Sequence, residues 1–249
     1  MNELLYLEQL VKYRLHTFFP SGNEEAEPLM PTFEKWHYPL ADFVHRNKLN
    51  VSEATLLLVA LTPHVKPDLF DSVIEKKLHD SGNFPKIGGV RGKNTRTFLP
   101  TGETLLFLLA GDQLQQRLQV QQLFGPQHLF AKKKILWLEE LPGGEPVMSG
   151  RIIMSPDYVD TFLIGKPSPP HFSTTFPAKR IEESRTWSSL VINDELKKQI
   201  EEIRSWLKYN DQLMTEYGMK DRIKKGYRAL FYGTPGTGKT LTAGILGNE

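Results

Sequence analysis

The sequence predicts a mixed chain: a mostly helical N-terminal domain that carries a β-hairpin, followed by the beginning of an α/β domain. Three observations lead there. Apolar residues recur every three or four positions through much of residues 3–123, the period of helices with one buried face. Two short runs, 135–138 and 150–154, flank the turn Pro142-Gly143-Gly144-Glu145-Pro146, which is the layout of a hairpin. Towards the C-terminus, the apolar run Ala229-Leu230-Phe231-Tyr232 passes through a glycine-rich turn into Leu241-Thr242-Ala243-Gly244-Ile245-Leu246, a strand–turn–helix order.

Composition narrows the class. Hydrophobic residues make up 39% and charged residues 24% of the 249, the balance of a globular chain and not of a disordered one. The net charge of +2 is no basic excess of the kind that announces a nucleic-acid partner. The absence of cysteine excludes disulfides, thiolate metal ligands and a cysteine nucleophile. Met1-Asn2-Glu3-Leu4-Leu5-Tyr6-Leu7-Glu8 has no basic lead and places acids within its apolar stretch, unlike a secretory signal. Apolar runs such as Leu56-Leu57-Leu58-Val59-Ala60-Leu61 fall far short of a bilayer span, so a cytoplasmic chain without a membrane partner is expected.

The N-terminal domain is expected over residues 1–165. Leu4, Leu7, Leu10, Val11 and Leu15 predict an amphipathic helix over 3–16, followed by an acid- and proline-rich loop over 20–31. Helices are expected over 39–46, over 52–61 with Ser52 as N-cap and Pro63 as stop, and over 67–78. Residues 81–100 carry Gly82, Gly88, Gly89 and Gly92 among Arg91, Lys93 and Arg96. Lacking a feeding strand and phosphate-loop spacing, this segment reads as an exposed loop. Thr101-Gly102-Glu103 opens a helix over 104–110, broken at Gly111. The helix over 112–123 is expected to bury Leu114, Leu118 and Leu123 and to expose its glutamines. The hairpin and a helix from Ser155-Pro156 to about Gly165 complete the domain.

Short helices followed by a hairpin resemble a winged-helix-like domain in architecture. That resemblance implies contact with DNA or with protein. The candidate recognition helices, 104–110 and 112–123, offer Arg117 as their only basic residue, so protein contact is favoured over DNA. Leu136-Trp137-Leu138-Glu139-Glu140 mimics an apolar strand ending in two metal-binding acids. It precedes the glycine-rich turn by roughly a hundred residues, whereas that element follows the turn in phosphate-loop folds, so Glu139 and Glu140 read as the solvated end of a hairpin strand.

Lys166-Pro167-Ser168-Pro169-Pro170-His171 opens a proline-rich linker, expected over 166–186, and the seven histidines show no metal-ligand spacing. The second domain is expected from Trp187 to Glu249. Leu196, Ile200, Ile203 and Leu207 predict one face of a helix from 193 to about 209, capped by Asn193 or Asp194. A second helix is expected over 211–217, then a basic stretch over 220–228.

Gly233-Thr234-Pro235-Gly236-Thr237-Gly238-Lys239-Thr240 has the Walker A spacing of glycine, any four residues, glycine, lysine, threonine, between the apolar run and the helix that the motif requires. The chemistry follows from the shape. Glycines let the backbone curl so that its N–H groups point at phosphate oxygens, and a helix N-terminus adds partial positive charge. Lys239, the catalytic residue of the motif, reaches the β- and γ-phosphates, and the Thr240 hydroxyl is placed to ligate Mg2+. Residues 233–240 are therefore the expected nucleotide-binding site, with ATP and Mg2+ as its ligands.

The entry Trp187-Ser188-Ser189-Leu190-Val191-Ile192, the helix ending in Trp206-Leu207, and Lys225-Gly226-Tyr227-Arg228-Ala229-Leu230-Phe231-Tyr232 before Gly-Thr-Pro-Gly-Thr-Gly-Lys-Thr together resemble the opening of an AAA+ ATPase module. The resemblance covers about residues 187–249 and implies a P-loop NTPase fold and ATP hydrolysis that drives remodelling of a macromolecule. It also implies a homo-oligomeric ring, with Leu190 and Val191 beside the adenine. The family's Walker B aspartate, water-activating glutamate, sensor and arginine fingers have no counterpart between Thr240 and Glu249. The expectation is thus the incomplete start of such a module, binding ATP without turning it over by itself. The alternative is a non-catalytic protein- or DNA-interaction module with a vestigial P-loop.

Overall fold

The computed structural model describes residues 2–20, 28–29, 38–78, 85–168, 183–219, 222 and 226–248. Most of the expected 20–31 loop, Gly82, the bulk of the proline-rich linker with His171, and most of the basic stretch 220–225 lie outside the described residues. The chain divides into two compact units, 1–168 and 169–249. It is mostly helical, with two small antiparallel sheets among the described residues.

The first unit is built around one helix. α1 (Asn2–Phe18) buries Tyr6, Leu7, Leu10, Val11 and Leu15, the stripe that its sequence spacing predicts. α2 (Pro39–Asn47) buries Leu40, Ala41 and Val44. α3 (Val51–Val65) is buried at every position from Ala54 to Thr62, as a helix apolar on all sides must be. It packs against α1 and against the elements that follow it. The N-cap is Asn50, not Ser52: Asn50 Oδ1 accepts from Glu53 N at 3.0 Å while Glu53 Oε2 accepts from Asn50 N at 2.7 Å, a reciprocal capping box. Nor does Pro63 stop the helix. It sits in the last turn, where the missing N–H removes one bond, and Lys66 N still reaches Thr62 O at 2.8 Å.

α4 (Leu69–Leu78) packs on α1 through Leu69, Phe70, Val73 and Ile74. The glycine segment that follows differs from the exposed loop its sequence suggests. β1 (Val90–Arg91) pairs antiparallel with β2 (Phe98–Leu99), and Asp71 of α4 holds the pair by accepting from Phe98 N at 2.8 Å and from Arg91. Gly89, at φ +86°, leaves room for the Phe98 ring where a Cβ would stand, 2.2 Å away. Buried Phe98 thus draws the segment into the core, and the Gly89 N–H is taken by Thr101 Oγ1 at 3.0 Å.

Thr101 caps α5 (Gly102–Leu109), where Thr104 to Leu108 are all buried, and Gly111 at φ +57° closes it with N–H to Leu106 O at 3.0 Å. α6 (Leu114–Gln121) corrects an expectation. Leu114 is 70% and Leu118 54% exposed, while Val120 and Leu123 are buried. Arg117 fixes the helix's rotation by bonding Glu103 of α5 and donating to Gly111 O at 3.0 Å, which turns the two leucines outward.

After the short α7 (Leu129–Lys132), β3 (Leu136–Leu138) and β4 (Ile152–Met154) form the expected hairpin, with Leu136 opposite Met154 and Leu138 opposite Ile152. α8 (Pro156–Ile164) ends at Gly165, left-handed at φ +88°, and packs on α2.

In the second unit, α9 (Asp194–Thr215) is one continuous helix where two were expected. Nothing between Tyr209 and Asp211 breaks it, and Asn193 Oδ1 caps it by accepting from Leu196 N at 2.9 Å. Its expected apolar face is only partly covered: Ile200 is buried, but Leu196 and Leu207 are 39% and 55% exposed. The last helix of the chain, α10, runs Lys239–Gly247.

Candidate functional site

Residues 233–238 curl directly into the N-terminus of α10. Gly233, Gly236 and Gly238 hold φ of +143°, +82° and +81°, a run of positive values that residues with a Cβ adopt only under strain. Gly238 is the N-cap residue, and its carbonyl accepts from Thr242 N at 2.8 Å and from Thr242 Oγ1 at 3.0 Å, so the first turn of α10 is well formed. α10 buries Thr242, Gly244, Ile245 and Leu246, which anchors the helix while its N-terminal end stays open.

Lys239 folds back over this curl. Its ammonium donates to Gly233 O at 3.0 Å and Thr234 O at 2.7 Å, and lies 3.4 Å from Thr237 Oγ1. Thr237 Oγ1 in turn donates to Thr234 O at 2.9 Å. The loop thus brings Gly233, Thr234, Thr237 and Lys239 together. Pro235 and Thr240 are exposed on its surface. Among the described residues no carboxylate pairs with Lys239, so its charge is balanced only by main-chain and hydroxyl dipoles. An ammonium in such a setting is free to exchange carbonyl oxygens for phosphate oxygens, which are stronger acceptors.

The entry segment contributes one contact. Leu190 Cδ1 lies 3.0 Å from where a Cβ on Gly238 would stand, so Leu190 packs directly on the loop, while Val191 is fully exposed. Of the two residues expected near an adenine, only Leu190 borders the loop.

The run 229–232, expected as a buried strand, is not part of any sheet, and Leu230 and Tyr232 are 85% and 88% exposed. A parallel strand is held by ladder bonds to neighbours and by burial on both faces. Among the described residues of this unit no strand stands beside it.

The chain matches no protein-family model, no curated protein and no solved structure.

Other sequence candidates resolve on geometry. Glu139 is held by Arg151 through two bonds, at 2.6 and 2.8 Å, and the Arg151 hydrogen bond pulls its carboxyl below the usual range. It closes the hairpin, as its place at a strand end suggests, with both carboxylate oxygens taken up by Arg151. No cluster of three acidic or histidine side chains among the described residues is placed to hold a metal. The exposed Thr240 hydroxyl, in the first turn of α10 and adjacent to Lys239, fits a single protein ligand for a Mg2+ whose other ligands are phosphate and water. The Lys239 bonds to its own loop and the Leu190–Gly238 packing were not foreseen from sequence. Neither contact has a signal in the local sequence.

Proposed function

We propose that residues 233–240 bind the phosphates of ATP with Mg2+, and that the protein is an AAA+ ATPase whose hydrolysis, in a homo-oligomeric ring, remodels a macromolecule. One observation carries the phosphate reading. Lys239 folds over a loop that three positive-φ glycines shape at a helix N-terminus, and its partners among the described residues are the loop's own oxygens. Phosphate oxygens would take over that ammonium, and N–H groups of the loop and of the first turn of the helix would be available to donate to them. Bound Mg2+ would offset charge on the β- and γ-phosphates, held on the protein side by Thr240.

For the N-terminal unit, a winged-helix-like module that contacts protein is supported over one that reads DNA. α5 is buried along most of its length, and Arg117, the basic residue of α6, is already bonded to Glu103 and Gly111. Neither helix presents a free cation for phosphate.

Titration of the chain with a fluorescent ATP analogue and Mg2+ tests the site. Removing a charge-assisted contact in Lys239→Ala is expected to cost about 1.5–3 kcal/mol, or about 10- to 150-fold in affinity. AMP, without β- and γ-phosphates, should be little affected. Equal losses for ATP and AMP, or no loss for either, would overturn the assignment.

A further inference from the structure

A second site lies in the N-terminal unit, apart from the phosphate loop. Between α1, α2, α3 and α8 is a cavity of about 300 Å3, at the small end of the range for organic ligands. Its wall is largely aliphatic and aromatic, with Leu40, Leu58, Leu61, Val65 and Phe162 among the lining side chains. Into this wall is set Glu3. It is 1% exposed, and neither carboxylate oxygen has a hydrogen-bond partner. Buried charged groups are almost always paired, because an unpaired one forfeits its hydration with nothing in return. Burial accordingly pushes the Glu3 carboxyl up, against smaller lowering influences of its own backbone dipole and the chain's amino-terminal charge, neither of which amounts to a hydrogen bond to its oxygens. Thr62, on the same wall, spends its hydroxyl proton on Leu58 O at 2.7 Å and so has none to give Glu3.

From the unpartnered Glu3 carboxylate set in this apolar cavity, we infer that the N-terminal unit binds a small aliphatic ammonium ion. The match is one of shape and charge. An ammonium has three donors and no acceptor, which suits two acceptor oxygens lacking any donor. A short alkyl chain would fill the aliphatic space behind it. A carboxylate would set only further acceptors and a like charge against Glu3, and an alcohol would supply one donor and no charge. Leu163, 45% exposed, stands at the rim and marks the way in.

The test is calorimetric or NMR titration of the whole chain with n-hexylammonium, hexan-1-ol and hexanoate. Hexylammonium is expected to bind at least tenfold tighter than hexanol, with hexanoate not binding. Glu3→Gln should cut hexylammonium affinity at least tenfold and leave hexanol unchanged. Leu163→Trp, at an exposed position that folding tolerates, should narrow the mouth and weaken both ligands. If Glu3→Gln fails to fold, the three-probe comparison and the rim variant still decide. Equal binding of hexylammonium and hexanol, binding indifferent to Leu163→Trp, or no binding by any probe would overturn the inference. All three results would leave the ATP assignment untouched.

Discussion

Gly238 offers the sharpest test of the phosphate loop, because two separable effects meet there. Its φ of +81° is left-handed, which costs a residue with a Cβ about 1–2 kcal/mol. The added Cβ would also stand 3.0 Å from Leu190 Cδ1. Leu190 is half-buried and able to turn away, so this second cost is on the order of 0.5 kcal/mol. An alanine loop would relax to another conformation and would have to regain this one to bind. Gly238→Ala is thus expected to weaken Mg2+-ATP binding by up to about 2.5 kcal/mol, roughly 10- to 70-fold. Gly236 separates the terms, since it has nearly the same φ, +82°, with nothing within 4 Å of its Cβ position. Gly236→Ala should show the backbone term alone, and Leu190→Ala in the Gly238→Ala background should recover about twofold. Affinities from fluorescent-nucleotide titration at fixed ionic strength provide the readout. If both alanine variants bind ATP as the parent does, the curl is not the binding conformation and the reasoning fails.

Three further outcomes are expected. Glu3→Met should stabilise the protein by about 1–3 kcal/mol at pH 7, measured as a rise in melting temperature, because an unpaired buried polar group is removed. The raised carboxyl makes folding take up a proton, so stability falls as pH climbs from about 4.5 through the higher folded value; the gain from Glu3→Met should therefore shrink below pH 4.5 to the smaller penalty of burying an unpaired neutral acid, and a gain independent of pH would refute it. Thr101→Val removes the α5 cap and the acceptor for Gly89 N, at an expected cost of about 2–4 kcal/mol in urea unfolding; a loss under about 0.5 kcal/mol would contradict the network. Glu139→Gln, at a pair about one-third exposed, should cost less than about 1 kcal/mol, and only above the lowered carboxyl range; a larger loss, or a dependence on Mg2+, would mean the pair does more than close the hairpin.

Much of the N-terminal unit was legible because its signals are local. The α1 stripe, the hairpin runs about a proline–glycine turn, and the Ser155-Pro156 start with its Gly165 stop each depend on residues within one element. The errors share a cause in contacts between elements. Leu114 and Leu118 have the spacing of a buried face, but Arg117 reaches Glu103 and decides which side of α6 turns inward. Phe98 and Asp71 convert a glycine-rich stretch that reads as an exposed loop into a hairpin seated on the core. Asn50 outcompetes Ser52 because only Asn50 has Glu53 three residues on to complete a capping box.

The phosphate loop divides along the same line, and this bears on what the motif can do unaided. Its curl is local: three glycines supply the dihedral angles, and Lys239 and Thr237 tie the turn through oxygens within six residues of each other. That part forms whether or not the chain before it is packed. The run feeding it does not form a strand by itself, since ladder bonds and burial would have to come from other strands, and Leu230 and Tyr232 stand in solvent. A loop whose shape is intrinsic but whose upstream anchor is loose can receive phosphate, yet it has little to hold the phosphate's position against attack. Positioning to a fraction of an ångström is what phosphoryl transfer requires of its scaffold. On the ATP-binding reading proposed above, binding and catalysis should therefore separate, with affinity residing in 233–240 and turnover requiring strands paired with 229–232.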